Sequence, residues 1–194
     1  ENLGTPEQLA RATRTLHEAA GGTAIISTDQ EGGKVRVLQG VGPERSQAQQ
    51  LAAGTVRADA RAAGSALRER GINVTLAPVV DVAAGGALAG RAFGTDVAAV
   101  SQAARDAVEG WRAGGVAATA KHFPGLAGAG ANTDEAPVTI GTDEATLRER
   151  DLPPFAAAIK AGVPLIMSSH ALYPALDPDR IASQSKPILT HLLR

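Results

Sequence analysis

The chain has 194 residues, 19 Lys+Arg against 20 Asp+Glu for a formal net charge of -1, 44% hydrophobic residues and no Cys. That length fits one domain, large enough to bury roughly 70% of its extended-chain surface. The balanced charge lacks the footprint of a nucleic-acid binder, no apolar run of about 18 residues is present to cross a membrane, and the missing Cys exclude disulfides, thiolate metal sites and thiol nucleophiles.

The opening residues are polar and carry no signal-peptide pattern, so the sequence assigns no compartment. From Thr5 to Ala20 the pattern predicts a helix, with Thr5 as N-cap, Pro6 at the first helical position and Gly21-Gly22 as terminator. Thr23–Thr28 is a short, β-branched apolar run and reads as a buried strand that stops at Asp29-Gln-Glu-Gly-Gly33. Ser46–Arg70 is Ala-rich and helical. Asn73–Val80 is the next buried strand, closed by Asp81. A Gly/Ala loop containing Arg91–Asp96 leads into a helix over 97–113. Val116–Ala120 is a strand closed by Lys121-His-Phe-Pro-Gly125, followed by a glycine-rich loop to about Thr142. Glu144–Ala161 is a helix disturbed by Pro153-Pro154. Pro164–Met167 is a strand closed by Ser168-Ser169-His170, and Pro187 opens a last helix.

Short buried strands alternating with longer helices predict a parallel sheet with right-handed crossovers. Each of the four strands hands over to polar groups at its C-terminal end: Asp29/Glu31, Asp81, Lys121/His122 and Ser168/Ser169/His170. A doubly wound sheet gathers its site at one switch point, whereas a barrel draws on many strand ends. Four loaded ends therefore favour a (β/α)8 TIM-barrel type of α/β fold, of which this chain supplies about four βα units.

Several candidate groups stand out, each against a plainer reading. Asp29 follows a strand and precedes a Gly pair, which raises it above a solvated surface acid, while Glu31 reads equally as a partner for backbone amides. Neighbours on a strand point to opposite sides, so Lys121 and His122 share a ligand only where the strand has ended. Asp81 reads as a strand-end cap or ion-pair partner. The glycines at 125–130 lack a phosphate-loop pattern and suit a mobile site loop. The four His residues show no metal-ligand spacing, and no nucleophile-elbow motif accompanies Ser168-Ser169-His170.

Asp29–Gly33 and Lys121–Gly125, joined by Leu76-Ala-Pro-Val-Val-Asp-Val82, Gly90-Arg-Ala-Phe-Gly94 and Ser169-His170 through Tyr173–Pro178, resemble the signatures of the N-terminal barrel domain of glycoside hydrolase family 3. The resemblance runs over nearly the whole chain and is nearest the bacterial β-N-acetylglucosaminidase (β-hexosaminidase) branch. It implies retaining hydrolysis of terminal β-linked N-acetylglucosamine, derived from peptidoglycan or chitin, with no cofactor and a small carbohydrate as the partner. It puts Asp29, Arg91, Lys121 and His122 on sugar-binding positions, with His170 nearby.

The sequence also departs from that branch. Its Asp-Ser-His acid/base segment reads Asn132-Thr133-Asp134 here, which makes Asp134 the candidate acid/base, with Glu135 second. Lys34 and Val37 stand where the branch carries arginines, with Arg36 close by. The resemblance puts the nucleophilic Asp beyond Arg194, so the chain is expected to be a piece cut at both ends and inactive alone, and to self-associate through exposed sheet edges. Two other readings stay open: a non-catalytic carbohydrate-binding protein on the same scaffold, and a related glycoside phosphorylase.

Overall fold

The computed structural model describes residues 5–131, 133 and 135–194. Helix α1 spans Pro6–Ala19. It begins as expected, with the Thr5 hydroxyl accepting from the Gln8 amide and the Gln8 side chain accepting from the Thr5 amide.

Four parallel strand segments follow one another in space in the order in which they follow one another in the chain. Strand β1 (Ser27–Thr28) pairs with β4 (Val74–Thr75), Ser27 opposite Val74. Single parallel bridges, Val74 to Ala117 and Val79 to Lys121, join that pair to β5 (Thr119–Phe123). Strand β5 pairs in turn with β6 (Leu165–Ser168). Among the described residues no reversal of order and no doubly wound switch point interrupts the series, and the arrangement is that of consecutive barrel strands. Among the described residues, the far edges of β1 and β6 have no strand partner.

The helices cover one face of this sheet. The segment expected to be one helix over 46–70 is two, α2 (Gln47–Ala52) and α3 (Val56–Glu69), because the chain turns at Gly54. Helix α4 (Val97–Ala113) is capped by Asp96, whose carboxylate accepts from the Ala99 amide at 2.8 Å. Gly110 and Gly114 bring α4 against the backbone of α3: a Cβ on Gly110 would lie 2.5 Å from the Arg57 carbonyl oxygen. Leu67, Val100, Ala103, Ala107, Trp111, Ala118 and Ala120 fill the layer between helices and sheet. Phe123 and Phe155 meet edge to face at 5.3 Å.

The two prolines do not simply weaken a helix. A short α5 (Glu144–Thr146) widens into a π turn over 147–151, in which the Leu152 amide donates to the Leu147 carbonyl, and α6 (Leu152–Lys160) restarts with Pro153 and Pro154 in its first turn. Proline is tolerated there because first-turn amides have no helical acceptor.

Two hairpins were not legible as strands. Strands β2 (Gln30–Gly32) and β3 (Val35–Arg36) are antiparallel across Gly33-Lys34, and Gly33 takes φ +60°, a left-handed value that glycine reaches without a Cβ clash. Strands β7 (Leu172–Tyr173) and β8 (Asp177–Ile181) form the second. The Ile140 amide donates to the Leu172 carbonyl, stitching the end of the glycine-rich loop to β7.

Candidate functional site

The C-terminal ends of β1, β5 and β6, the start of β4's following segment and the β2–β3 hairpin surround an open cleft of about 910 Å3. Its polar lining comes from Asp29, Arg91, Lys121, His122, Ser168, Ser169 and His170, and its apolar lining includes Val35, Val37, Leu76, Leu126 and Met167. Five of the six sequence candidates therefore share one cavity. The sixth, Asp134, lies outside the described residues.

Strand β5 does not stop before Lys121, as the sequence suggested, but runs to Phe123. Lys121 pairs with Met167 and Phe123 with Ser168, so His122 is the extra residue of a bulge. A bulge breaks the alternation of sides, which lets Lys121 and His122 line the same cleft as adjacent residues.

The cations of the cleft are held by carboxylates. Lys121 Nζ donates to Asp29 Oδ1 at 2.7 Å and to Glu31 Oε1 at 2.8 Å. Arg91 donates to both Glu31 oxygens, through Nε at 2.9 Å and a terminal nitrogen at 2.5 Å. The two carboxylates differ in reach: the Asp29 side chain is 40% exposed, that of Glu31 only 1%. Asp29 faces the cleft, while Glu31 lies beneath it. Burial is the largest influence on Glu31 and raises its pKa, but the Arg91 hydrogen bonds and the charges of Lys121 and Arg91 outweigh it and hold the carboxyl below its ordinary value.

Asp81 is the second buried anchor. One oxygen accepts from the His122 amide at 3.1 Å and lies 2.8 Å from His122 Nδ1, and the other accepts from the Leu126 amide at 2.7 Å. The expected strand-end partner is thus bonded to a cleft residue and to the root of the glycine-rich loop together. Tyr173 supports the same root, its hydroxyl donating to the Gly125 carbonyl at 2.8 Å. Asp151 lies against Gly125 and pairs with Arg150 at 2.9 Å.

The remaining candidates are peripheral. His170 is exposed on the rim, its Nδ1 2.8 Å from the Ser183 hydroxyl. Glu135 is also exposed at the cleft mouth. Arg36 does not replace an arginine in the cleft: its Nε donates to the Gly33 carbonyl at 2.9 Å and its tip pairs with Glu44, while Val37 occupies the lining. Among the described residues no group of three or more His, Asp or Glu side chains is arranged to hold a metal ion, and no helix is long and apolar enough to cross a membrane.

Compared with known families, the chain matches the glycosyl hydrolase family 3 N terminal domain over residues 1–194. It belongs to that family. The fold class follows: a family 3 domain of the (β/α)8 type, here with four consecutive parallel strands. A β-N-acetylhexosaminidase from Beutenbergia cavernae superimposes with a TM-score of 0.87 at 36% identity, over all of this chain and 62% of that one. A family 3 β-N-acetylglucosaminidase from Paenibacillus gives a TM-score of 0.91 at 35% identity, over all of this chain and 39% of that one. A curated β-hexosaminidase of Xanthomonas oryzae is 33% identical across the whole chain, which spans 61% of its length.

Within this family 3 domain, Asp81 is the strand-end partner the sequence suggested, and Glu31 is a buried ion-pair partner of Arg91 and Lys121. Each is an acidic residue a few positions beyond a parallel strand, and nothing local distinguishes such a residue from a surface acid. The distinguishing fact is long-range: Glu31 meets residues 60 and 90 positions away.

Proposed function

We propose that this cleft binds a terminal β-linked N-acetylglucosamine unit for retaining glycoside hydrolysis, and that residues 1–194 form part of the catalytic barrel. The observation that carries the reading is the convergence of Asp29, Arg91, Lys121 and His122 on one cavity, at the positions which the family resemblance gives to sugar binding. Asp29 accepts from sugar hydroxyls and Arg91 and Lys121 donate to them. His170 contributes from the rim. Asp134 is the proposed acid/base, and the nucleophile belongs to sequence outside these residues.

The charge balance supports a neutral, hydroxyl-rich ligand. Asp29, Glu31 and Asp81 outnumber Lys121 and Arg91, and both cations already hold carboxylates. A phosphate entering for phosphorolysis would meet no unneutralised cation among the described residues. The hydrolytic reading is therefore preferred to the phosphorylase one.

The test is hydrolysis of 4-nitrophenyl β-N-acetylglucosaminide by this chain and by a form extended to the length of its relatives, alongside calorimetric titration of both with N-acetylglucosamine. Turnover by the extended form alone is the expected result. Binding without turnover in both supports a carbohydrate-binding protein instead. Absence of binding in both refutes the sugar assignment.

A further inference from the structure

His122 contributes two ring nitrogens, and the structure distinguishes them. Nδ1 lies 2.8 Å from the Asp81 oxygen that also accepts the His122 backbone amide, and the other Asp81 oxygen is taken by the Leu126 amide. A carboxylate has only lone pairs to offer. The hydrogen on that contact therefore belongs to Nδ1. In the neutral ring this leaves Nε2 as an acceptor, and Nε2 is the nitrogen left to a ligand in the cleft that His122 lines.

We propose that Asp81 is a positioning residue: it fixes His122 as the Nδ1–H tautomer, so that Nε2 accepts from a ligand hydroxyl, and it ties that orientation to the root of the 125–131 loop. The proposal rests on the sugar-binding reading for the identity of the ligand, but not for the tautomer. It sets an acceptor beside the Lys121 donor. Lys121 and Arg91 only donate, Asp29 accepts but shares its carboxylate with Lys121, and His122 Nε2 is an acceptor with no competing cation bonded to it among the described residues. A hydroxyl placed between Lys121 and His122 would accept from one and donate to the other. An ether or a carboxylate oxygen in that place has no proton to give, so the pair selects a free hydroxyl.

The same carboxylate cannot be replaced by an amide without conflict. In Asp81→Asn, one of the two terminal atoms becomes an NH2 donor. Turned to Leu126, it opposes the buried amide of the shorter bond, 2.7 Å against 3.1 Å to the His122 amide, so the turn toward His122 is the one adopted. Turned to His122, it opposes that residue's amide and drives the ring to the Nε2–H tautomer, which points a donor at the hydroxyl.

The experiment is long-range nitrogen–proton NMR of the histidine-labelled chain at about pH 8, above the ordinary imidazole range, with His122 assigned by His122→Gln. N-acetylglucosamine is then titrated into the wild type and Asp81→Asn. We expect wild-type His122 to carry its proton on Nδ1, and Asp81→Asn to move it to Nε2 and weaken sugar binding at least tenfold. An Nε2–H signature in the wild type overturns the proposal, and needs no variant to fold. An unchanged tautomer in a folded Asp81→Asn overturns it as well. An Nδ1–H wild type that binds no sugar supports the positioning role while refuting the sugar reading.

Discussion

Glu31→Gln is the substitution that most directly probes how the cleft is held together. The buried Glu31 carboxylate accepts two hydrogen bonds from Arg91 and one from Lys121, at 2.9, 2.5 and 2.8 Å. Removing one partner of a buried ion pair costs about 3–5 kcal/mol. Two features favour the lower end. Glutamine keeps one acceptor oxygen in the same place, and Lys121 keeps Asp29 at 2.7 Å. About 3 kcal/mol in a chain of this size corresponds to a melting temperature lower by roughly 6–12 °C. Circular dichroism melts at pH 7 read it directly. The pH dependence adds a second check. The Glu31 carboxyl is held below its ordinary value of 4.5 in the fold, so its contribution is present in full above that value and is lost as pH falls through the lower folded value. The gap between wild type and Glu31→Gln should therefore close on the acid side. A drop of less than about 2 °C at pH 7, or a gap that persists into acid, would refute the reasoning.

Asp151 should behave in the opposite sense: burial raises its pKa, with Arg150 offsetting only part, so its ionised form is a cost that grows as pH rises through the folded value. Asp151→Asn is expected to leave the pH 7 melting temperature unchanged or higher, and a fall of more than about 4 °C, or about 1 kcal/mol, would show that the Arg150 pairing dominates. Gly110→Ala places a methyl 2.5 Å from the Arg57 carbonyl oxygen and 2.8 Å from Ala60 Cβ; overpacking of about 1–3 kcal/mol exceeds the gain of up to about 1 kcal/mol in helix propensity, so melts should show a net loss. Tyr173 is the only tyrosine in the chain, and burial, its largest influence, raises its pKa; the tyrosinate absorbance should rise only as alkali unfolds the chain, and a rise that precedes loss of the circular dichroism signal would contradict the buried hydroxyl. The unpaired edge of β6 and the exposed Leu165 on it should make the apparent mass by light scattering rise with concentration, and Leu165→Lys should reduce that rise.

The parallel strands and major helices were legible because their signals are local. Apolar runs mark β1, β4, β5 and β6, and Thr5 and glycine pairs mark helix ends. The two hairpins were not. Asp29–Gly33 reads as a polar loop because Gln30 and Glu31 are buried by partners far along the chain: the Gln30 amide donates to the Val41 carbonyl at 2.6 Å, and its oxygen accepts from the Leu38 amide at 3.1 Å. Asp177–Ile181 carries three charged residues and a proline, and is held as a strand by pairing with Leu172–Tyr173 rather than by its own composition. For the site, the motifs singled out the ligand-facing groups, but the His122 bulge and the supporting carboxylates depend on register and distant contacts that spacing does not encode.

The π turn at 147–151 makes the helix one residue longer than its span requires. A regular α-helix advances about 100° per residue, so an extra residue wound regularly would swing everything on one side by that angle; the wide turn takes it up and keeps both flanks in register. Leu147 and Phe155 are both buried, one on each side of the turn, and Asp151 between them lies against Gly125. Both sides thereby keep their buried residues packed, and the wide turn itself sets Asp151 beneath the glycine-rich loop. In this stretch a one-residue difference of length is absorbed by the winding, whereas Gly128 and Gly130 of the loop above face open space and leave length there to vary.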